Sequence, residues 1–424
     1  MEYGKAQRFD GTFHLPSTIF HVFLAAAVGL TLGATPLAQQ VRFDDVVRNL
    51  RNPDPRARMT SVSLLREATY LEAIEPIAPL VVDPVDDVQL AAIEAELSFF
   101  LVDDVRARKR LAFIVEVRNS GQAETAFASG PLAVWPREAP EALLANLLTA
   151  VDDENAKVRI EAIYTFGAVA RAPLAAAHAQ GLVRALDHYD PAIRHAAARV
   201  AGRLGAAAAG DMLIRAVNDS QPPVRFAAMR ALGQVREERA VQALTEQLEH
   251  YRKGEGAWSA LEGLAHIGHA SSVPLFRSRL LDRDAYMRRT ALEGLGRAKA
   301  ASETAAIEAI AAGDSSAMVR AAAAFALQLL GQDASARLVA ALDADGLAPQ
   351  IAGYLLELGP SMASGLRPHL KDTRASVRGN VAVMLGAIGS TADIDALEPL
   401  LIDRDADVRR SAERAIQRIK VRGA

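Results

Sequence analysis

Apolar and small residues recur along this chain at fixed offsets from an arginine. Taking Arg378 as zero, Val377, Val381, Ala382 and Leu385 stand at −1, +3, +4 and +7, and around Arg159 the same offsets hold Val158, Ala162, Ile163 and Phe166. That spacing is the buried stripe of a helix with a period of 3.6 residues. The full pattern is Asp-x5-Arg-x7-Gly, as in Asp153/Arg159/Gly167, Asp219/Arg225/Gly233, Asp282/Arg288/Gly296 and Asp372/Arg378/Gly386. Arg194 has its acid at Asp190, while Asp314/Arg320 and Asp403/Arg409 lack the glycine. The arginine position falls at 159, 194, 225, 257 (alanine), 288, 320, 348 (alanine), 378 and 409, mostly in steps of 30 to 32 residues. A fixed period in that range predicts a solenoid of stacked units.

Within a unit, Pro or Ala three positions before the arginine (Pro55, Pro191, Pro222, Ala317, Ala375, Ala406) predicts the first turn of a helix. A shorter preceding helix, such as 240–248 or 392–401, completes a hairpin whose members bury their faces only by stacking on neighbours. The predicted fold class is all-α: a right-handed α-solenoid of about eleven helical hairpins with one small β-containing insertion. The recurrent Asp and Arg are read as a charge-assisted ladder between successive turns, and the periodic glycines as helix ends.

In chain order, residues 1–38 form a distinct leader. Lys5 and Arg8 precede an apolar run from Ile19 to Leu32, and Ala38 stands before Gln39-Gln40. This predicts a secretory signal peptide, with a membrane anchor through residues 19–38 as the rival. Residues 41–102 hold the first repeats. Between 103 and 140 the rhythm breaks: Leu111 to Val117 is β-rich, Asn119-Ser120-Gly121 signals a turn, and Gly130-Pro131, Pro136 and Pro140 interrupt helices. We expect an insertion here, a β-hairpin with an extended arm docked on the solenoid. Residues 141–424 resume the repeat and end in a polar capping unit.

The Asp-x5-Arg units with Ala-Leu-Gly endings resemble the HEAT-like repeats first associated with phycobilisome lyases, over roughly 46–420 apart from the insertion. The resemblance implies fold more than function, since such repeats occur in chromophore lyases, in the iron-dependent deoxyhypusine hydroxylase and in many scaffolds. The hydroxylase ligates iron through His-Glu dipeptides, and this sequence has none; Glu249-His250 is the reverse order. An oxidoreductase or chromophore-lyase-like role is therefore the alternative, not the lead.

Composition narrows the function further. A formal charge of −3 and a pI near 6.3 argue against a general nucleic-acid binder. The absence of cysteine removes disulfides, thiolate zinc sites and a cysteine nucleophile. His266 and His269 have chelating spacing but no third ligand placed by sequence. No catalytic residue, metal ligand or cofactor site is assigned. The expected function is non-catalytic binding of a protein or peptide outside the cytoplasm, periplasmic or secreted, or on a membrane-anchored chain with its repeats outside. Positions +2, +5 and +9 of each second helix predict a concave partner-binding stripe containing Arg199, Arg203, Arg230, Glu262, Glu293, Phe325, Leu329, Leu355 and Val383. Phe325, Leu329, Leu355 and Val383 form its apolar stretch, read either as a partner surface or as closed over by the irregular unit around Gly346 to Pro360. In the insertion, Glu116, Arg118, Trp135 and Arg137 are candidate binding residues.

Overall fold

The computed structural model describes residues 42–102, 121–342, 344 and 346–423. The first helices of successive hairpins are α1 (Phe43–Asn49), α3 (Ile74–Ile77), α6 (Glu141–Thr149), α8 (Ala176–Ala185), α10 (Gly210–Ala216), α12 (Val241–Tyr251), α14 (Val273–Arg279), α16 (Thr304–Gly313), α18 (Ser335–Ala341), α20 (Ala363–Leu366) and α22 (Ile394–Leu397). Their second helices are α2 (Pro55–Glu67), α4 (Asp86–Phe100), α7 (Ala156–Val169), α9 (Pro191–Arg203), α11 (Pro222–Gln234), α13 (Gly254–Ile267), α15 (Ala285–Arg297), α17 (Ala317–Leu329), α19 (Ala348–Leu358), α21 (Ala375–Ile388) and α23 (Ala406–Gly423). One further helix, α5 (Gln122–Ala128), belongs to the insertion. The expected all-α solenoid of eleven hairpins is therefore present among the described residues. The second helices begin where the sequence puts them, at Pro55, Pro191, Pro222, Ala317, Ala375 and Ala406. Several first helices are a single α turn flanked by 3-10 turns, as at Ile394–Leu397 between Thr391–Asp393 and Glu398–Ile402.

The expected ladder is built from both ends of each side chain. One Nη of Arg288 donates to the carbonyl of Asp282 (2.9 Å), stapling its own turn, while Nε and the other Nη grip both carboxylate oxygens of Asp314 in the next unit at 2.9 Å. Arg194 with Asp219 and Arg378 with Asp403 repeat the arrangement. The same aspartates accept a backbone N–H two residues on, as Asp314 does from Ser316 (2.8 Å), so each closes an Asx turn and a bridge at once. Where one member is missing the chain substitutes: with Tyr251 in place of the acid, Arg225 donates to its hydroxyl (2.8 Å), and with Gln89 in place of the arginine, its amide reaches Asp153 (3.0 Å) across the insertion.

The periodic glycines correct one expectation. They stand within the last turn of the second helices, one or two residues before the end rather than beyond it, and there consecutive second helices touch backbone to backbone. A Cβ at Gly233 would stand 2.7 Å from the Gly263 Cα, and one at Gly386 would stand 2.6 Å from the Ala415 Cα. Helix ends instead use Gly205, Gly268 and Gly331, all at positive φ.

The insertion also departs from expectation. The β-rich run 111–117 lies outside the described residues, as do Glu116, Arg118 and the whole 1–38 leader. Of the rest, residues 122–128 are helical rather than an arm, and the strand character is one antiparallel bridge between Leu101 and Val134. That bridge is flanked by Trp135 N–H to the Phe100 carbonyl (2.7 Å) and Val102 N–H to the Ala133 carbonyl (2.9 Å), which pinch the two ends of the insertion together. The repeat row runs past it without a break, α4 packing directly on α7.

The last helix returns to this stem. Arg418 of α23 donates to the carbonyls of Leu132 (3.3 Å), Val134 (2.7 Å) and Pro131. From the other side Arg171 donates to the Trp135 carbonyl (3.2 Å). The repeats from α7 to α23 thus close on the insertion, and the last helix forms a seam with its stem. Among the described residues no helix is long and apolar enough to cross a membrane.

Candidate functional site on the inner face

The stripe predicted to face a partner is, over much of its length, occupied by the chain itself. Helix α5 lies on α7 and α9. Its Glu124 accepts from Arg199 (2.7 Å), which also donates to the Tyr164 hydroxyl (2.7 Å). Phe127 packs on Tyr164 with ring centroids 5.3 Å apart, and the Arg203 guanidinium lies 3.6 Å from the Phe127 ring centroid while donating to the Phe127 carbonyl. Glu161 accepts the Ala123 N–H (3.2 Å). Burial pushes the Tyr164 hydroxyl up to about 12 and, with Arg199 beside it, the Arg203 guanidinium down to about 10. Arg199 and Arg203 are therefore brought to one place, but around an internal ligand.

Further along, Arg230 pairs with Glu262 (3.0 Å) and Glu255 (3.4 Å), and Tyr286 donates to Glu262 (3.1 Å). Glu293 is buried beneath Arg289 (2.7 Å), Arg297 (3.6 Å) and the Tyr354 hydroxyl. Burial alone would raise the Glu293 carboxyl; Arg289 and Arg297 outweigh it and hold it below the usual carboxylate range.

The apolar stretch is closed rather than open, which corrects the reading of it as an exposed surface. Phe325 and Leu355 are each 0% exposed, and Leu329 and Val383 are partly buried. The cause is the irregular unit: α19 carries Tyr354 onto Phe325, and Gln350 donates to the Met318 carbonyl (3.0 Å) and the Tyr354 hydroxyl (2.7 Å). Glu357 accepts both donors of Arg297 at 2.8 Å.

Between the α5 footprint and α19 a cavity of about 420 Å³ remains, lined by Gly202, Arg203, Gly233, Gln234, Arg236, His266, Gly353 and Glu357. The His266 Nδ1 lies 3.0 Å from the Glu262 carbonyl; a carbonyl only accepts, so Nδ1 carries the proton and Nε2 is the bare nitrogen. Burial, then Arg297, lowers its pKa and so disfavours the charged ring. His269 is separated from it by the left-handed turn at Gly268 and bonds Ser271 instead. Among the described residues no three His, Asp or Glu side chains gather as a metal site would require. Trp135 and Arg137 are half-buried in the insertion stem.

Three features escaped the sequence reading. Helix α5 was signalled by Ala123, Ala126 and Phe127 at i, i+3 and i+4, in a run of only seven residues. Arg236 occupies a position that the helix ends after α9, α13 and α17 give to Gly205, Gly268 and Gly331. Glu96 stands at +7 from Gln89, where other units place Phe166, Leu232, Leu264, Leu295, Leu327 or Leu385.

No curated protein sequence matches the chain significantly. Among solved structures, the complex of CpcE and CpcF of phycocyanin lyase from Nostoc sp. PCC7120 aligns at 21% identity and a TM-score of 0.39, over 59% of this chain and 97% of that one. An engineered protein aligns at 17% identity and a TM-score of 0.31, over 89% of this chain and 98% of its own. A family model described as HEAT repeats matches residues 179–260, 253–328 and 336–417, more than half of the sequence, and the chain belongs to the HEAT-repeat family.

Proposed function

We propose that this HEAT-repeat protein is a non-catalytic scaffold that holds a protein or peptide partner on its inner face, outside the cytoplasm. One observation carries the reading: the inner face already holds a short amphipathic helix, α5, by an acid on Arg199 and an aromatic on Arg203, and beside it lies a cavity of about 420 Å³ lined by Arg203, Gln234, Arg236 and Glu357. A surface that binds one segment in this way is suited to another of similar chemistry. The apolar run at Ile19 to Leu32 supports export of the repeats. An oxidoreductase of the hydroxylase kind would need the His-Glu pairs that the sequence lacks.

A photo-cross-linking residue placed at the exposed, cavity-lining Gln234 is expected to capture the partner in cells, and one at the exposed Gln242 of α12 is not. Equal capture from both would contradict inner-face binding. Fractionation with N-terminal sequencing checks the location: cytosolic protein with residues 1–38 intact would contradict export.

A further inference from the structure

Among the described residues the cavity lining holds two arginines, Arg203 and Arg236, and one carboxylate, Glu357, which Arg297 already engages at both oxygens. From α9 to α15 the other inner-face arginines meet carboxylates: Arg199 with Glu124, Arg230 with Glu262, Arg289 with Glu293, Arg297 with Glu357. Arg203 departs from this. Among the described residues it is offered the ring and carbonyl of Phe127, and its charged neighbour is another cation, Arg199. A half-buried guanidinium without a carboxylate is costly unless something supplies one.

Arg236 is the second cation. It sits just past the end of α11 at φ 56, a left-handed conformation that the chain gives to glycine after α9, α13 and α17. A non-glycine residue is strained there. Lys299, in the same situation after α15, donates to the Leu329 carbonyl (2.5 Å). The Arg236 side chain is 67% exposed, and its nearest carboxylate, Glu357 at 3.9 Å, is already held at both oxygens by Arg297.

Resting on the inner-face reading above, we propose that this cavity is a carboxylate-binding site. Arg203 and Arg236 supply the charge-assisted donors, the Gln234 amide a neutral one, and the ligand is the carboxylate of an acidic peptide segment or of a free carboxylic acid. The chain displays the chemistry next door, where the Glu124 carboxylate is bound by Arg199. The volume matches the lower range of ligand pockets, about 300–1,000 Å³, and one wall is unobstructed: a Cβ at Gly353 would meet nothing within 4 Å.

The test titrates the full chain with a blocked tetraglutamate peptide, with glutarate and with inorganic phosphate. Two variants are compared. Arg236→Gly suits the left-handed backbone, and Gly353→Leu fills the cavity from an open position, so both are expected to fold and to melt no lower than wild type. Wild type binds a carboxylate probe, and each variant weakens binding about tenfold or more. Preference for the peptide identifies a segment of a partner as the source, and equal or better binding of glutarate identifies a small acid. Absence of carboxylate binding to wild type, phosphate binding as tightly as either carboxylate, or unchanged binding in both variants overturns the site. Cross-linking from Gln234 that persists alongside any of these overturning results leaves inner-face binding standing; loss of cross-linking removes that reading separately.

Discussion

Tyr354 lies flat on Phe325, ring centroids 4.2 Å apart and planes 9° from parallel, with its hydroxyl donating to the buried Glu293. This one side chain joins α19 to α15 and α17, and converts what would be an apolar groove into core. Phe325→Ala is predicted to cost about 3–5 kcal/mol and Leu355→Ala about 2–5 kcal/mol, read from urea unfolding. Tyr354→Phe keeps the stack but removes the hydrogen bond donated to Glu293 and the one accepted from Gln350, for at least about 1.5–3 kcal/mol. Near-neutral values for Phe325→Ala and Leu355→Ala would mean that the groove is open in solution.

The ladder sets the response to acid. Hydrogen bonds from Arg194, Arg288 and Arg378 hold the carboxyls of Asp219, Asp314 and Asp403 below their usual range. A carboxyl with a depressed folded pKa contributes stability that is present above its unfolded value, about 3.9, and is lost as pH falls through the lower folded value. Melting temperature is therefore expected to drop below about pH 4. Asp219→Asn is expected to cost about 1–2 kcal/mol at neutral pH and to flatten that acid slope. An acid slope identical to wild type in the combined Asp219→Asn and Asp314→Asn variant would refute the assignment.

Glu96 works in the opposite sense. It is 0% exposed, neither oxygen has a hydrogen-bond partner among the described residues, and burial raises its pKa well above the ordinary carboxylate value. A raised folded pKa means the folded state holds the proton more tightly, so its contribution is fully favourable below the unfolded pKa. That contribution declines as pH rises towards the folded one. Glu96→Gln is predicted to raise stability near pH 7 and to be neutral near pH 4, and Glu96→Leu restores the residue that most other units use at this position. Thermal melts at the two pH values decide it; a Glu96→Gln variant that is less stable at pH 7 would point to a partner for the charge.

Arg418 binds three carbonyls of the insertion stem, and burial, with Arg422 and Arg171 nearby, lowers its pKa to about 10. Arg418→Met is expected to speed amide exchange across α23 and around residues 131–135 together, leaving the α9 to α13 amides unchanged. Faster exchange in α23 alone would mean that the seam does not couple the two ends.

Most of the architecture was legible because each unit repeats its instructions. The Asp-x5-Arg spacing, the Pro or Ala helix starts and the stripe around Arg159 or Arg378 all describe contacts between adjacent units. What was not legible involves partners far apart in the chain. For Phe325 and Leu355 the pattern left two readings, a partner surface or closure by the unit around Gly346 to Pro360; closure holds, but nothing local records that Tyr354 of α19 is the side chain that lands on Phe325. Arg199 and Arg203 were placed on the right face, but their partners Glu124 and Phe127 lie some 75 residues upstream, in a segment with no repeat to read. The glycines were misread because close helix contact and helix termination both favour the same residue.

The grip of Arg418 on residues 131–134 also gives the array a fixed count. An open solenoid gains or loses a unit at little cost, since each repeat answers only to its neighbours. Here one added or deleted hairpin between α7 and α23 would carry Arg418 past the carbonyls it holds, by roughly the 10 Å that separates packed helices. The stem acts as a gauge: it sets how many hairpins make up the turn, and through that the width of the space inside it.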